Sequence, residues 1–480
     1  MKDPKIIQLL QGFSETQIKR FVDAAKSPFF TTNKTLEPLA VAIAAAYPFM
    51  ESGTIDDEMI HAQAYPNEEF KYFTYKNRIS DLYGIAVQVL QIERLEKNPS
   101  MGLLLKAQGF RIVKAHGLFE RYMEQTSAEL DTIAVRDEEY WLTRTRLFEE
   151  EMLYLTLVRP RTDRGILQSE LDAILRYAAI RLLRQYTTMA HEKPMNDAGF
   201  VLHGESEVRA LITGLPFLRE EPTILMYTTV LDMMRTQTET SYRALKQVYD
   251  EYVPVLSYID GYMANLFLSG FCTDMANVHS KIEYWNDIYD LLLRKIELGH
   301  LGAHNLLYPD FIFVVRAAGY TGHEAWVRGF MEQTQSALPA DVRDDVLLFC
   351  NAILVLQAGR YESALRAFAQ VALNDDIWKA QVRTYTIMCH VALEHYEQAR
   401  FACDAFRHFL AKASSLSAYY LPTLKEFVRI VPKLVGMLEV PSAATRVKHE
   451  KLIAEIDAMT NNVFMIKHWM RSQATEIASA

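Results

Sequence analysis

Apolar and polar residues alternate at helical spacing from one end of this chain to the other. Ser14-Glu15-Thr16-Gln17 has the pattern of a capping box and opens an amphipathic run with Ile18, Phe21 and Val22 at i, i+3, i+4. Pro28 closes it. A second apolar helix is expected between Asn33-Lys34-Thr35 and Tyr47-Pro48. Thr54 is expected to cap a short helix carrying Ile55, Met59 and Ile60, ending near Pro66. The spacing then predicts a long helix over 68–96, with Phe70, Phe73, Ile79, Leu82, Ile85, Val89 and Leu90 as its buried stripe. Asn98-Pro99-Ser100 interrupts the pattern and marks a boundary.

Residues 100–193 read as three long helices in antiparallel succession, broken at 132–136 and 158–161. The stretch 191–206 is looser, holding Pro194, Asn196, Gly199 and Gly204. Shorter helices are expected over 207–218, 222–236, 241–256, 258–276 and 279–298. Phe311-Ile312-Phe313-Val314-Val315 has the residue types of a buried strand, but its flanks keep the helical period and favour a helix. The expected product is an all-α chain of roughly 18 to 20 helices, by ordinary helix and loop lengths. It divides into an N-terminal helical module (1–98), a long-helix region (99–300) and a C-terminal region (301–480).

Composition narrows the possibilities further. Among 480 residues there are only 19 Gly and 16 Pro, too few turn-formers for a β-sandwich or barrel or for glycine-rich nucleotide crossings. The 51 basic and 60 acidic residues leave a net charge of −9, which opposes bulk attraction to nucleic acid or anionic membrane. The N-terminal residues lack an apolar core of secretory length, and the most apolar stretch, 39–50, is too short to span a bilayer. Cys272, Cys350, Cys389 and Cys403 lie far apart, as buried free thiols in a reducing compartment would. A cytoplasmic location is expected.

The most specific signal is an internal repeat. Gly359-Arg360-Tyr361-Glu362-Ser363-Ala364-Leu365-Arg366-Ala367-Phe368, shifted by 35 residues, meets Glu394-His395-Tyr396-Glu397-Gln398-Ala399-Arg400-Phe401-Ala402-Cys403. Tyr361 matches Tyr396, Glu362 matches Glu397, and Ala364 matches Ala399. Small Ala364 and Ala399 allow two helices to approach closely, Phe368 fills the gap, and the tyrosines belong at the inter-helix corner. A weaker third copy surrounds Gly319 and Ala325. This pattern resembles the tetratricopeptide (TPR) repeat, whose period is about 34 residues, most clearly over 341–412. Glu394 replaces the corner glycine of the first copy, and Cys403 replaces Phe368. The resemblance implies stacked antiparallel helix pairs, a TPR-like α-solenoid, with a concave surface that receives a peptide or another protein. The carboxylate clamp of some TPR proteins is not implied, because Phe349 and Ile353 stand at the corresponding positions.

Candidate chemistry is sparse. No phosphate loop, dinucleotide fingerprint, nucleophile elbow or HExxH motif occurs. Glu297, His300 and His304 have metal-like spacing, but Gly299 and Gly302 interrupt the helix that would hold them, so a helix end is the better reading. Cys389-His390, with His395 nearby, reads as core packing. The acidic runs 137–139 and 149–151 read as solvated helix faces. Arg159, Arg161 and Arg164, followed by Arg176, Arg181 and Arg184, form the best basic cluster and a tentative anionic-ligand surface. Tyr242, Tyr249, Tyr252, Tyr258 and Tyr262 recur over two helices, either as interface anchors or, preferentially, along a core. Tyr249 and Tyr252 join the tentative ligand surface.

These observations lead to an expected non-enzymatic scaffold that binds a protein or peptide and needs no cofactor or metal. The alternative is a regulator in which 54–90 imitates a helix-turn-helix, with Lys71, Lys76 and Arg78 toward DNA and a helical-repeat sensor behind. Residues 1–98 carry 11 basic and 13 acidic groups, so electrostatics count against it.

Overall fold

The computed structural model describes residues 5–47, 56–158, 165–196, 199–301, 306–372, 375–413, 415–417, 419–440, 446–459 and 461–479. Among these it contains 24 α-helices and no strand, and many of the helices pack on their neighbours in the chain. The fold is an all-α solenoid of sequentially packed helices. It separates into two compact units, one of residues 1–134 with 139–174, the other of 135–138 with 175–480. The break at Asn98-Pro99 lies within the first unit. The one expected near residue 300 lies within the second.

In the first unit, the capping box forms as the sequence requires. The Ser14 backbone N–H donates to Gln17 Oε1 (2.8 Å), and the Gln17 N–H donates to Ser14 Oγ (3.3 Å). Helices Lys5–Gln11, Glu15–Lys26, Leu36–Ala44, Asp57–Ala64 and Tyr72–Glu96 share one core around Leu10, Phe21, Leu39, Ile43 and Leu82. The expected stripe is corrected at its start. The long helix begins at Tyr72, so Phe70 precedes it and packs on His61 (5.2 Å), while Phe73 is 78% exposed. About two turns separate Tyr75 from Leu82, so both face inward, whereas about two and a half turns put Phe73 on the opposite side. Asp56 rather than Thr54 caps the short helix, and Thr54 lies outside the described residues.

The three long helices expected after residue 100 are four: Pro99–Ile112, His116–Asp131, Glu138–Val158 and Ile166–Asn196. The additional break has neither Gly nor Pro at its hinge. Lys114 turns the chain there by taking a left-handed conformation (φ 62°). In the second unit, Phe311–Val315 sits inside the helix Tyr308–Tyr320, with Phe311, Ile312, Val314 and Val315 all buried. A helix buried on several faces accounts for the strand-like residue types.

Three corners between paired helices share one backbone device. A left-handed residue occurs at Gly322 (φ 78°), Gly359 (φ 71°) and Glu394 (φ 59°). The following N–H reaches back five residues: His323 to Ala318 O (2.8 Å), Arg360 to Val355 O (3.0 Å), and His395 to His390 O (2.8 Å). This is the Schellman pattern, which satisfies the last carbonyls of one helix and turns the chain into the next. Lys114 in the first unit makes the same turn, with Ala115 N–H on Phe110 O (2.9 Å). Around the expected third copy the chain therefore turns at Gly322, not Gly319. Five residues past each corner lies a fully buried side chain: Phe119, Val327, Ala364 or Ala399. Helix pairs Tyr308–Tyr320/Glu324–Thr334, Arg343–Gln357/Tyr361–Phe368 and Asp376–Ala392/Tyr396–Lys412 stack in this way. Phe368, between Phe349 (6.1 Å) and Tyr385 (5.7 Å), ties one pair to the next.

Candidate functional site

The corners fix which face of each first helix points inward. Residues two, six and nine before a corner fall on one side, three to four apart. For the Gly322 corner these are Tyr320, Arg316 and Phe313, and for Glu394 they include Met388 and Tyr385. Together with Gln357, two residues before Gly359, they line a trough along the stacked first helices. The far wall comes from the chain's last helix, Ile466–Ser479, and the turn before it.

Two cavities occupy this trough. One, of about 350 Å³, is lined by Trp285, Tyr320, Gln357, Tyr361, Tyr385 and Met388 on one side, facing Phe464, Met465 and Trp469. The other, of about 50 Å³, includes Phe313, Arg316, Tyr419 and Tyr420 and shares Trp285, Tyr320, Phe464 and Met465 with the first. The walls are aromatic, yet polar groups face them without complete partners. Gln357 donates through Nε2 to Arg316 O (3.2 Å), while its Oε1 is buried and accepts nothing. Arg316 Nε is buried without an acceptor, and among the described residues no carboxylate pairs with this guanidinium. Outside the lining of either cavity, the fully buried Gln381 donates through Nε2 to Tyr385 OH (2.8 Å) and leaves its own Oε1 unmet. Burial, reinforced by Tyr385 nearby, pushes the Tyr320 phenol well above its usual range, so it stays neutral. Gly319 belongs to this arrangement: a Cβ there would lie 1.7 Å from Gln357 Oε1.

The same unit holds a polar cluster of the opposite kind. The Arg184 guanidinium donates to Asp260 Oδ1 (2.8 Å), Glu138 Oε2 (2.5 Å) and Tyr227 OH (3.3 Å). Tyr227 OH donates to the same Asp260 oxygen (2.6 Å), and Ser257 Oγ donates to the other (2.6 Å). Burial alone would lower the Arg184 pKa, but Asp260 and Tyr227 outweigh it and hold the group raised. Both carboxylate oxygens of the fully buried Asp260 are engaged by the protein. This cluster fastens helices together and offers nothing to a ligand.

Residues singled out in the sequence are distributed unevenly around these sites. Tyr361 lines the larger cavity, while Ala364, Phe368 and Ala399 are buried packing residues and Tyr396 is half-buried at its corner. Gly359 takes the left-handed turn. Tyr249 is fully buried and receives Asn265 Nδ2 on its hydroxyl (3.2 Å), so it belongs to the core and to no surface; Tyr252 is half-buried. Arg159, Arg161, Arg164 and His304 lie outside the described residues. The rest of the basic cluster is neutralised: Arg176 meets Glu221 (3.4 Å), and Arg181 and Arg184 both meet Glu138. Of the residues expected toward DNA, Lys71 and Lys76 are exposed. Arg78 is held by Glu68 (3.0 Å) and lies over the Tyr65 ring (4.2 Å). Glu150 accepts from Arg111 (2.8 Å) and Gln108 (3.0 Å), a structural use of the 149–151 run. Burial raises the Cys389 thiol to about 12 and makes it a core residue rather than a nucleophile.

The trough residues Trp285, Arg316, Tyr320, Gln357, Tyr385 and Phe464 were not legible as a site. The available signal was position relative to the corner, which becomes visible only once Gly322 and Glu394 are known to be equivalent. Among the described residues there is no group of three His, Cys, Asp or Glu able to hold a metal ion, and no helix is long and apolar enough to cross a membrane. Comparison with protein-family models, curated proteins and solved structures returns no match for this chain.

Proposed function

We propose that this protein is a TPR-like, non-enzymatic scaffold that binds a peptide or protein segment in the trough along its C-terminal helix pairs. The observation that carries the reading is the cavity of about 350 Å³ walled by Trp285, Tyr320, Tyr361, Tyr385 and Trp469, with an orphaned amide oxygen at Gln357 beside it. Aromatic walls supply contact area at low entropic cost, and isolated polar atoms fix the register of a bound chain. Such atoms are expensive in a closed core and useful where a partner's backbone completes them. Four buried free thiols suit a cytoplasmic setting.

The test is selection of a random-peptide display library on the full-length protein, followed by affinity measurement of the selected sequences. Tyr361→Ala and Trp469→Ala are expected to weaken the selected peptides by at least about tenfold, the loss typical of an interface anchor. Lys448→Ala, away from the trough, is expected to leave them unchanged. Peptides insensitive to both trough substitutions would remove the reading.

A further inference from the structure

The turn entering the last helix is the most unusual segment of the described chain. Phe464 (φ 55°) and Met465 (φ 60°) are consecutive non-glycine residues in the left-handed region, and both are almost wholly buried. Such a conformation is unfavourable for an L-residue and persists only where its surroundings enforce it. Here the enforcement comes from far away in sequence. The Asn462 backbone N–H donates to Asn277 O, and its side-chain Nδ2 donates to Ala276 O (3.2 Å). Trp285 Nε1 donates to Met465 Sδ (3.3 Å), and the Phe464 ring stacks on Tyr420 (5.7 Å) with Arg316 above it (6.0 Å). The segment is seated in the trough the way a ligand would be: side chains in aromatic surroundings, backbone and carboxamide bonded to carbonyls of the host.

Phe464 and Met465 also border both cavities. They are the partition that divides one trough into two, while the remaining shared residues, Trp285 and Tyr320, form its continuous floor.

Taking the trough as the binding site proposed above, we infer that residues 462–465 are an intramolecular stand-in for the partner. The partner is then a peptide presenting an aromatic side chain followed by a thioether or aliphatic one, and it binds by displacing this turn. The sequence Val463-Phe464-Met465 is the template for its chemistry, because these are the groups the trough already accepts. Strain at two left-handed residues favours the exchange: a peptide in relaxed geometry makes the same contacts without it.

The probe is a fluorescein-labelled, N-acetylated, C-amidated peptide copying residues 461–470, measured by anisotropy against the full chain. Phe464→Ala/Met465→Ala, which weakens the internal occupant, is expected to bind the probe at least about tenfold more tightly than the wild type. A probe with both of those residues changed to Ala is expected not to bind. Because the double variant removes buried side chains, its folding is checked by circular dichroism, and the wild type supplies a second measurement. Saturating probe should speed amide hydrogen exchange across 461–466 while leaving the helix Glu138–Val158 unchanged. Equal probe affinity of variant and wild type, or binding without faster exchange at 461–466, overturns the inference. If library-selected peptides bind both proteins equally and still depend on Tyr361, the trough reading stands and the internal occupant is refuted. If neither the probe nor any selected peptide binds, both fall.

Discussion

Arg184 and Arg316 are two partly buried guanidinium groups in the same unit with opposite surroundings. Arg184 has two carboxylates and a phenol arranged around it, and each acceptor is itself held by another residue. Arg316 faces aromatic rings, has no acidic partner among the described residues, and keeps a buried Nε–H unmet. A completed buried network is costly to break and contributes rigidity, whereas an incomplete one is tolerable only where solvent or a partner can reach it. The contrast separates satisfied from unsatisfied polarity in a protein where residue type alone does not.

The comparison can be broken by substitution. The largest effect is expected at Asp260→Ala, which leaves the partly buried Arg184 with Glu138 as its one carboxylate. By the usual cost of removing one member of a buried pair, urea denaturation should show a loss of about 3–5 kcal/mol. Tyr227→Phe removes one donor to Asp260 while keeping the ring, and is expected to cost about 1–3 kcal/mol in the same assay. Gly319→Ala places a Cβ against Gln357 and forces its amide aside, with an expected loss of about 1 kcal/mol, since the displaced group is a flexible side chain. Arg316→Leu has no ion pair to break, and its expected stability change lies within about 0.5 kcal/mol. A loss at Arg316→Leu comparable to that at Asp260→Ala would erase the distinction between the two sites. Peptide binding should rank them in reverse. Arg316→Leu is expected to alter affinity for trough-binding peptides, while Tyr227→Phe leaves it intact under conditions where the protein remains folded.

Much of the fold was legible because helices announce themselves locally. The Ser14–Gln17 box and the flanks of Phe311–Val315 each required only residues within a few turns of one another, and the Tyr361/Tyr396 correspondence only two short segments compared side by side. The failures have a common cause. Lys114 and Glu394 turn the chain left-handed without the glycine that ordinarily signals such a turn, so one corner was missed and another looked like a departure from the pattern. Phe73 was placed in the core by its residue type, although the two and a half turns that separate it from Leu82, at about 3.6 residues per turn, put it on the opposite face of the helix. Tyr249 and Tyr361 are the same residue type on apolar faces. One is sealed by Asn265 and the other opens on a cavity, a difference that depends on which helix packs above.

By itself, the sequence determined an all-helical chain and many of its helices, because backbone hydrogen bonding and amphipathic spacing act over a few residues. The tertiary structure alone decided that Arg184 is neutralised while Arg316 is not, and that six trough residues drawn from 285 to 464 meet along one surface. It also decided that Val463–Met465 lies in a trough whose host carbonyls come from Ala276 and Asn277. Those outcomes depend on the burial and pairing of groups far apart in the chain, and only packing sets the free energy of such groups.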